Sequence, residues 1–221
     1  MDKRQNDITV IYYTSNQEKE GFESKIKRTL LENKGDLPLI SVSQKPIDFG
    51  FNICVGDIGI SGQNVFRQMQ IGAIEAKTQY ICTAEADCLY PPEYFQFKPM
   101  RDDTAYIAVP LWVAFFQREK EKCFALKPRG SELAMIIGRE TLINGIETML
   151  EGLGKFGITD SNGSPPYFLR LVNKSYFELP VPVVTIKTDN QLHRRTPHNS
   201  KSRCKEIPYW GNIYNLMEKY L

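Results

Sequence analysis

The chain has 221 residues, of which 42% are hydrophobic and 24% charged, the composition of an ordinary globular protein and the length of one generous domain. Its formal net charge of +2 selects no partner by bulk electrostatics, and no apolar run approaches the roughly 18 residues of a membrane-spanning helix. The start, MDKRQND, lacks the apolar stretch of a secretory signal, so a cytoplasmic protein is expected. Cys54, Cys82, Cys88, Cys123 and Cys204 are odd in number and include no Cys-x-x-Cys pair. That argues against a disulfide framework or a zinc ribbon and for reduced, mostly buried thiols.

The first half reads as alternating strands and helices. Residues 7–13 (DITVIYY) are β-branched and aromatic and predict a strand that runs into the polar loop Thr14-Ser15-Asn16. Phe22, Ile26 and Leu30 recur at the spacing of one helix face over about 17–33, and Lys34-Gly35-Asp36 ends it. Strands follow at 38–43 and 51–55. Ser61-Gly62 opens a second helix with Val65, Met69, Ala73 and Ala76 on one face, and 79–84 is a fourth strand that ends in Glu85-Ala86-Asp87. This order predicts a largely parallel sheet covered by helices, with right-handed crossovers.

The second half is less regular. Residues 104–109, 111–116 and 123–127 read as strands, 132–137 fits either strand or helix, and Leu142, Ile146 and Leu150 mark a helix ending near Gly152. Residues 153–166 read as a Gly-rich loop, and 176–186, with two prolines, as an edge strand. The fold class expected is α/β, with a mostly parallel sheet flanked by helices and a small antiparallel C-terminal part. Residues 1–221 form one domain on this reading.

Chemistry is expected where the strands end, because open α/β sheets bind ligands beyond their carboxyl ends. Two polar segments lie there, Tyr13 to Asn16 and Glu85 to Asp87. Carboxylates two positions apart point to one side of a strand, and a tight turn can aim both at one hard cation. Such a cation grips a diphosphate, whose oxygens complete its shell. Two solvated acids on a surface turn are the alternative.

Residues 7–95 resemble the nucleotide-binding half of a GT-A-fold, family-two-like glycosyltransferase. The resemblance rests on the early strand with its polar loop, the helix from Ser61 to Lys77 rich in Asn, Arg and Gln, and the segment from Tyr80 to Pro91. That segment carries Glu85 and Asp87 as a Glu-x-Asp variant of the family's Asp-x-Asp motif. The resemblance implies a metal-dependent transfer, a hexosyl transfer in the first instance, from a nucleotide-diphosphate sugar, with UDP favoured. The acceptor would be a hydroxyl of a glycan, a lipid-linked sugar or a hydroxylated DNA base. Tyr13, Thr14, Ser15 and Asn16 would lie near the nucleoside. Asp87 would hold Mn²⁺ or Mg²⁺, and Glu85 the ribose, the nucleotide or the metal through water. Arg67 is a candidate diphosphate contact, since a guanidinium matches phosphate oxygens. Asn64 and Gln63 are lesser ones.

A basic segment follows. Residues 187–205 carry Lys187, Arg194, Arg195, Lys201, Arg203 and Lys205 against the single acid Asp189, together with both histidines, His193 and His198. A basic, Pro-interrupted loop suits a lid over an anion. On the resemblance, Arg194 and Arg195 would contact the diphosphate and His193 would complete the metal site, with Asp189 and His198 next in order. Asp160 is the candidate general base for an inverting transfer. Trp210 is read as docking the last helix. A nucleotidyltransferase would carry a Gly-rich loop after the first strand, and Thr14 to Glu20 contains no glycine. A non-catalytic nucleic-acid-binding module would use the basic segment alone, with no need for Glu85 and Asp87.

Overall fold

The computed structural model describes residues 7–115, 122–156, 168–188 and 202–221. Its first strands are β1 (Ile8–Thr14), β2 (Leu39–Ser43), β3 (Phe51–Cys54) and β4 (Tyr80–Glu85). They pair in the order β3-β2-β1-β4, all parallel, although only a loop and no helix joins β2 to β3. β1 is buried along its whole length, so it reads as a continuous apolar run and not as an alternating one. Helix α1 (Glu20–Asn33) buries Phe22, Ile26 and Leu30, the predicted face. Helix α2 (Gly62–Glu75) starts at Ser61, whose side chain accepts a hydrogen bond from the Asn64 amide, an N-cap of the usual kind.

Alternate residues of β1 feed different cores. Val10 and Tyr12 pack with Leu30 of α1, whereas Ile11 and Tyr13 pack with Met69 and Ala73 of α2. The second layer also holds Leu142, Ile146 and Met149 of helix α4 (Arg139–Phe156). Gly72 allows α2 to lie on the sheet, because a Cβ there would meet the Ile11 side chain at 2.7 Å.

Beyond β4 the sheet turns mixed. It continues through β8 (Met135–Gly138), β6 (Thr104–Phe115), β7 (Cys123–Lys127) and β10 (Arg203–Cys204), each antiparallel to its neighbour. The segments at 104–109 and 111–116, expected as two strands, are one strand. Its outer neighbour is β9 (Asn173–Lys187), which runs parallel to it over almost the full length. The register jumps from Val109↔Glu178 to Leu111↔Val183. The jump falls where Pro110 faces the Pro180-Val181-Pro182 stretch, because three prolines cannot donate to a ladder. The ambiguous run at 132–137 divides into a 3-10 turn, Glu132–Ala134, and β8.

β9 also pairs with the two-residue strand β5 (Cys88–Leu89), which follows the β4 turn. The short helix α3 comprises Pro92–Gln96. The chain closes with β11 (Glu206–Ile207), β12 (Gly211–Asn212) and α5 (Ile213–Tyr220). Helix α5 joins Phe22 and Ile26 of α1 in a further apolar cluster, and the Tyr220 hydroxyl lies 2.7 Å from that of Thr29. Trp210 is buried in that cluster and donates to the Pro182 carbonyl at 2.7 Å, so it docks the C-terminal helix. Among the described residues all five cysteines are free and three of them buried, and no helix is long and apolar enough to cross a membrane.

Candidate active site

The strand order 3-2-1-4 means that the chain leaves β1 toward β2 on one side and returns to pair β4 on the other. The gap beyond the ends of β1 and β4 is therefore the topological switch point, where α/β sheets open a crevice. Tyr13 of β1 is in register with Glu85 of β4, which places the acidic motif at that switch point.

The rim on the β1 side is tied down by side chains. Asn16 adopts a left-handed backbone (φ 54°) that Asn tolerates better than most residues. Its Oδ1 accepts from the amides of Gln44 and Lys45 at 2.9 and 2.8 Å. Thr14 Oγ1 accepts from the Asn16 amide at 2.9 Å. Gln68 of α2 donates to the carbonyls of Thr14 (2.8 Å) and Val42 (3.0 Å), closing the ends of two strands. Asn64 donates to the carbonyls of Ile58 and Gly59, and Arg67, exposed on α2, donates to Asn64 Oδ1 at 3.2 Å. Tyr13 is in the core beneath this rim, and Ser15 and Gln63 are half-buried.

The acidic side is more strongly perturbed. Tyr90 receives the Glu85 amide on its hydroxyl (2.9 Å) and donates to the Leu133 carbonyl (2.6 Å), which holds the peptide of Glu85. Burial pushes the Glu85 carboxyl up to about 8, with the Asp87 charge as the second cause and the lysines Lys187 and Lys127 opposing it. Asp87 is buried. The Cys88 thiol donates to its Oδ1 at 3.0 Å, Thr185 donates to Oδ2 at 3.4 Å, and the Lys187 ammonium lies 3.6 Å from Oδ2. The Asp87 carbonyl accepts from the Ile186 amide at 2.8 Å. Burial and the two acids also push the Cys88 thiol up, so it is a neutral donor here.

One ligand atom from each of Glu85, Asp87 and Cys88 lies within 4.8 Å of the others. These residues fit a divalent cation. Two oxygen donors converge, and Glu85 has an electrostatic deficit that a cation would relieve.

Sequence patterns did not single out Thr185, Cys88 or Glu18 for this site. Glu18, in the β1–α1 loop, accepts from the Thr188 hydroxyl at 2.6 Å and so fastens the end of β9 to the β1 rim. By sequence Lys187 belongs to the basic segment, and the structure sets it at the end of β9 against Asp87. The alternation of β9 holds the available signal, since Thr185 and Lys187 two positions apart share one side of a strand. Asp160, Asp189, His193, Arg194, Arg195, His198 and Lys201 lie outside the described residues.

No protein-family model and no curated protein matches the sequence. In fold the chain is similar to solved glycosyltransferases. Two structures of S. aureus TarS 1-349, one in complex with UDP-GlcNAc, give TM-scores of 0.46 and 0.49 at 10% and 11% identity. They cover 81% and 89% of this chain, which spans 60% and 62% of theirs. A glycosyltransferase involved in the glycosylation of the major capsid of PBCV-1 gives 0.46 at 9% identity, over 80% of this chain and 91% of that one. A nucleotidyl transferase from Methanothermobacter thermautotroptrophicus gives 0.43 at 12% identity, over 80% and 89%. Likeness at such identities concerns the fold and names no reacting group.

Proposed function

We propose that the protein is a glycosyltransferase that moves a sugar, a hexose in the first instance, from a nucleotide-diphosphate sugar to a hydroxyl acceptor. UDP is the favoured nucleotide. The observation that carries this reading is the meeting of Glu85 and Asp87 at the β1–β4 switch point, with Asp87 buried and bracketed by β9. A switch point with hydrogen-bonded strand ends on one side and two carboxylates on the other suits a nucleoside diphosphate held through a cation. Residues 1–221 act as one domain, with 1–100 binding the donor and 101–221 forming the acceptor side.

In the reaction the acceptor oxygen forms a bond to the anomeric carbon as the bond to the β-phosphate oxygen breaks. The electron pair leaves with the nucleoside diphosphate, and the acceptor proton passes to a base, for which Asp160 is the candidate. Asp87, with Glu85 second, would hold Mn²⁺ or Mg²⁺, and His193 would add a nitrogen ligand. When bound, the ion supplies neutralisation of the charge that develops on the leaving group. Thr14, Ser15 and Asn16 would form the nucleoside side, and Arg67, Arg194 and Arg195 would contact the diphosphate. A glycan, a lipid-linked sugar or a hydroxylated DNA base serves as acceptor.

The test is a thermal-shift panel of UDP-, GDP-, TDP- and CMP-sugars, with and without Mn²⁺, on the wild-type protein and Asp87→Ala. The expected result is stabilisation by one nucleotide class that depends on Mn²⁺ and disappears in a folded Asp87→Ala protein. Stabilisation by no member of the panel, or an equal response from Asp87→Ala, would overturn the proposal.

A further inference from the structure

The pairing of Cys88 with Thr185 brings the end of β9 alongside the β4 turn, and with it a cation. The Lys187 ammonium lies 3.6 Å from Asp87 Oδ2, with side-chain exposures of 23% for the lysine and 10% for the acid. The other oxygen, Oδ1, takes the Cys88 thiol. The carboxylate best placed to hold a divalent ion is thus already neutralised from within the chain. A doubly charged ion on Asp87 would share one carboxylate with a lysine, and like charges repel more strongly in a poorly solvated site than in water. Lys187 is the last residue of β9, and its flexible four-carbon stem lets the ammonium turn to another anion without moving the strand.

We propose that Lys187 is a tethered counter-cation of the Glu85–Asp87 site: it neutralises Asp87 before a divalent ion binds, gives way to that ion, and passes to the diphosphate oxygens of the nucleotide. This rests on the reading that the site takes a divalent ion and a nucleoside diphosphate. The ion alone must compete with the lysine. The ion together with a diphosphate does not, because the phosphate oxygens give the ammonium a second partner. Metal and diphosphate therefore bind with positive coupling, and linkage makes the effect reciprocal. Lys187 acts here as a positioning and charge-compensating residue.

The experiment measures Mn²⁺ affinity from the electron paramagnetic resonance signal of the free ion, with and without UDP. It compares wild type, Lys187→Gln, Lys187→Met, Lys187→Arg and Asp87→Asn, each checked for folding by circular dichroism. Both neutral variants are expected to bind Mn²⁺ alone at least roughly tenfold more tightly than wild type. UDP should tighten Mn²⁺ binding less in them than in wild type, by a similar factor. Lys187→Arg should behave as wild type, and Asp87→Asn should lose Mn²⁺ binding. Neutral variants that bind Mn²⁺ no more tightly than wild type, with binding still dependent on Asp87, would overturn the role of Lys187 and leave the proposed site standing. Mn²⁺ binding that ignores Asp87 in every background would overturn both.

Discussion

Replacing Glu85 by Gln tests the electrostatics of the acidic motif without any donor or acceptor. The carboxyl is pushed from 4.5 up to about 8, by burial first and by the charge of Asp87 second. A raised carboxyl binds its proton more tightly in the folded protein than in the unfolded chain. Its contribution to stability is therefore complete at low pH and is lost as pH rises from about 4.5 toward 8. Each pH unit in that window costs about 1.4 kcal/mol for one proton. Between the unfolded value and neutrality the loss is roughly 3 kcal/mol, and about 2 kcal/mol allows for water reaching a half-buried group. Gln has the shape of the protonated acid and does not ionise. Metal-free Glu85→Gln should therefore be more stable than wild type at pH 7, with Tm higher by about 4–8 °C for a chain of this size. Near pH 4.5 the two should coincide. Thermal unfolding followed by circular dichroism in a chelator, at intervals from pH 4.5 to pH 8, gives the difference directly. A Tm difference independent of pH, or a Gln variant less stable than wild type at pH 8, would refute the assignment of this strain to Glu85. Saturating Mn²⁺ should shrink the gap, because a cation favours the ionised form that only the wild type has.

Asn16→Ala removes the acceptor for the Gln44 and Lys45 amides and puts an alanine at φ 54°, so about 2 kcal/mol of stability should be lost; Asn16→Gly, which meets the backbone demand but not the hydrogen bonds, should lose less, and urea unfolding of the three proteins distinguishes the terms. Gly138→Ala would place a Cβ 2.0 Å from the Asp102 carbonyl oxygen, a backbone atom that cannot swing aside, so β8 must shift and a loss of roughly 3 kcal/mol or more is expected in the same assay.

Much of the first half follows from local pattern. The face Phe22, Ile26 and Leu30 is legible because a 3.6-residue period needs no knowledge of what it packs against, and all three residues are buried. Ser61 announces its helix because an N-cap serves amides only a few residues away. Glu85 and Asp87 stand out because a strand ends there, and the turn is written in adjacent residues. A largely parallel sheet follows from the alternation of strands and helices, whereas the order 3-2-1-4, with β3 and β4 at opposite ends of the four, is a matter of which strands meet in space.

Tertiary structure decided the rest, because the interactions involved have no fixed spacing in the chain. Nothing near residues 132–137 states that Met135–Gly138 is a strand. Its identity comes from Ile81, Cys82 and Tyr106, which it pairs with across the sheet. The single long β6 could not be read through Pro110, since a proline weakens a strand signal unless the partner strand also lacks donors at that point. The partners of Asp87 are set in the same way. Thr185, 98 positions away, and Lys187 reach it only because β5 and β9 pair, and a two-residue strand leaves no periodicity to detect. Sequence alone could place two acids at the end of a strand. The burial of Asp87, and the lysine that neutralises it, are consequences of how distant strands come to lie side by side.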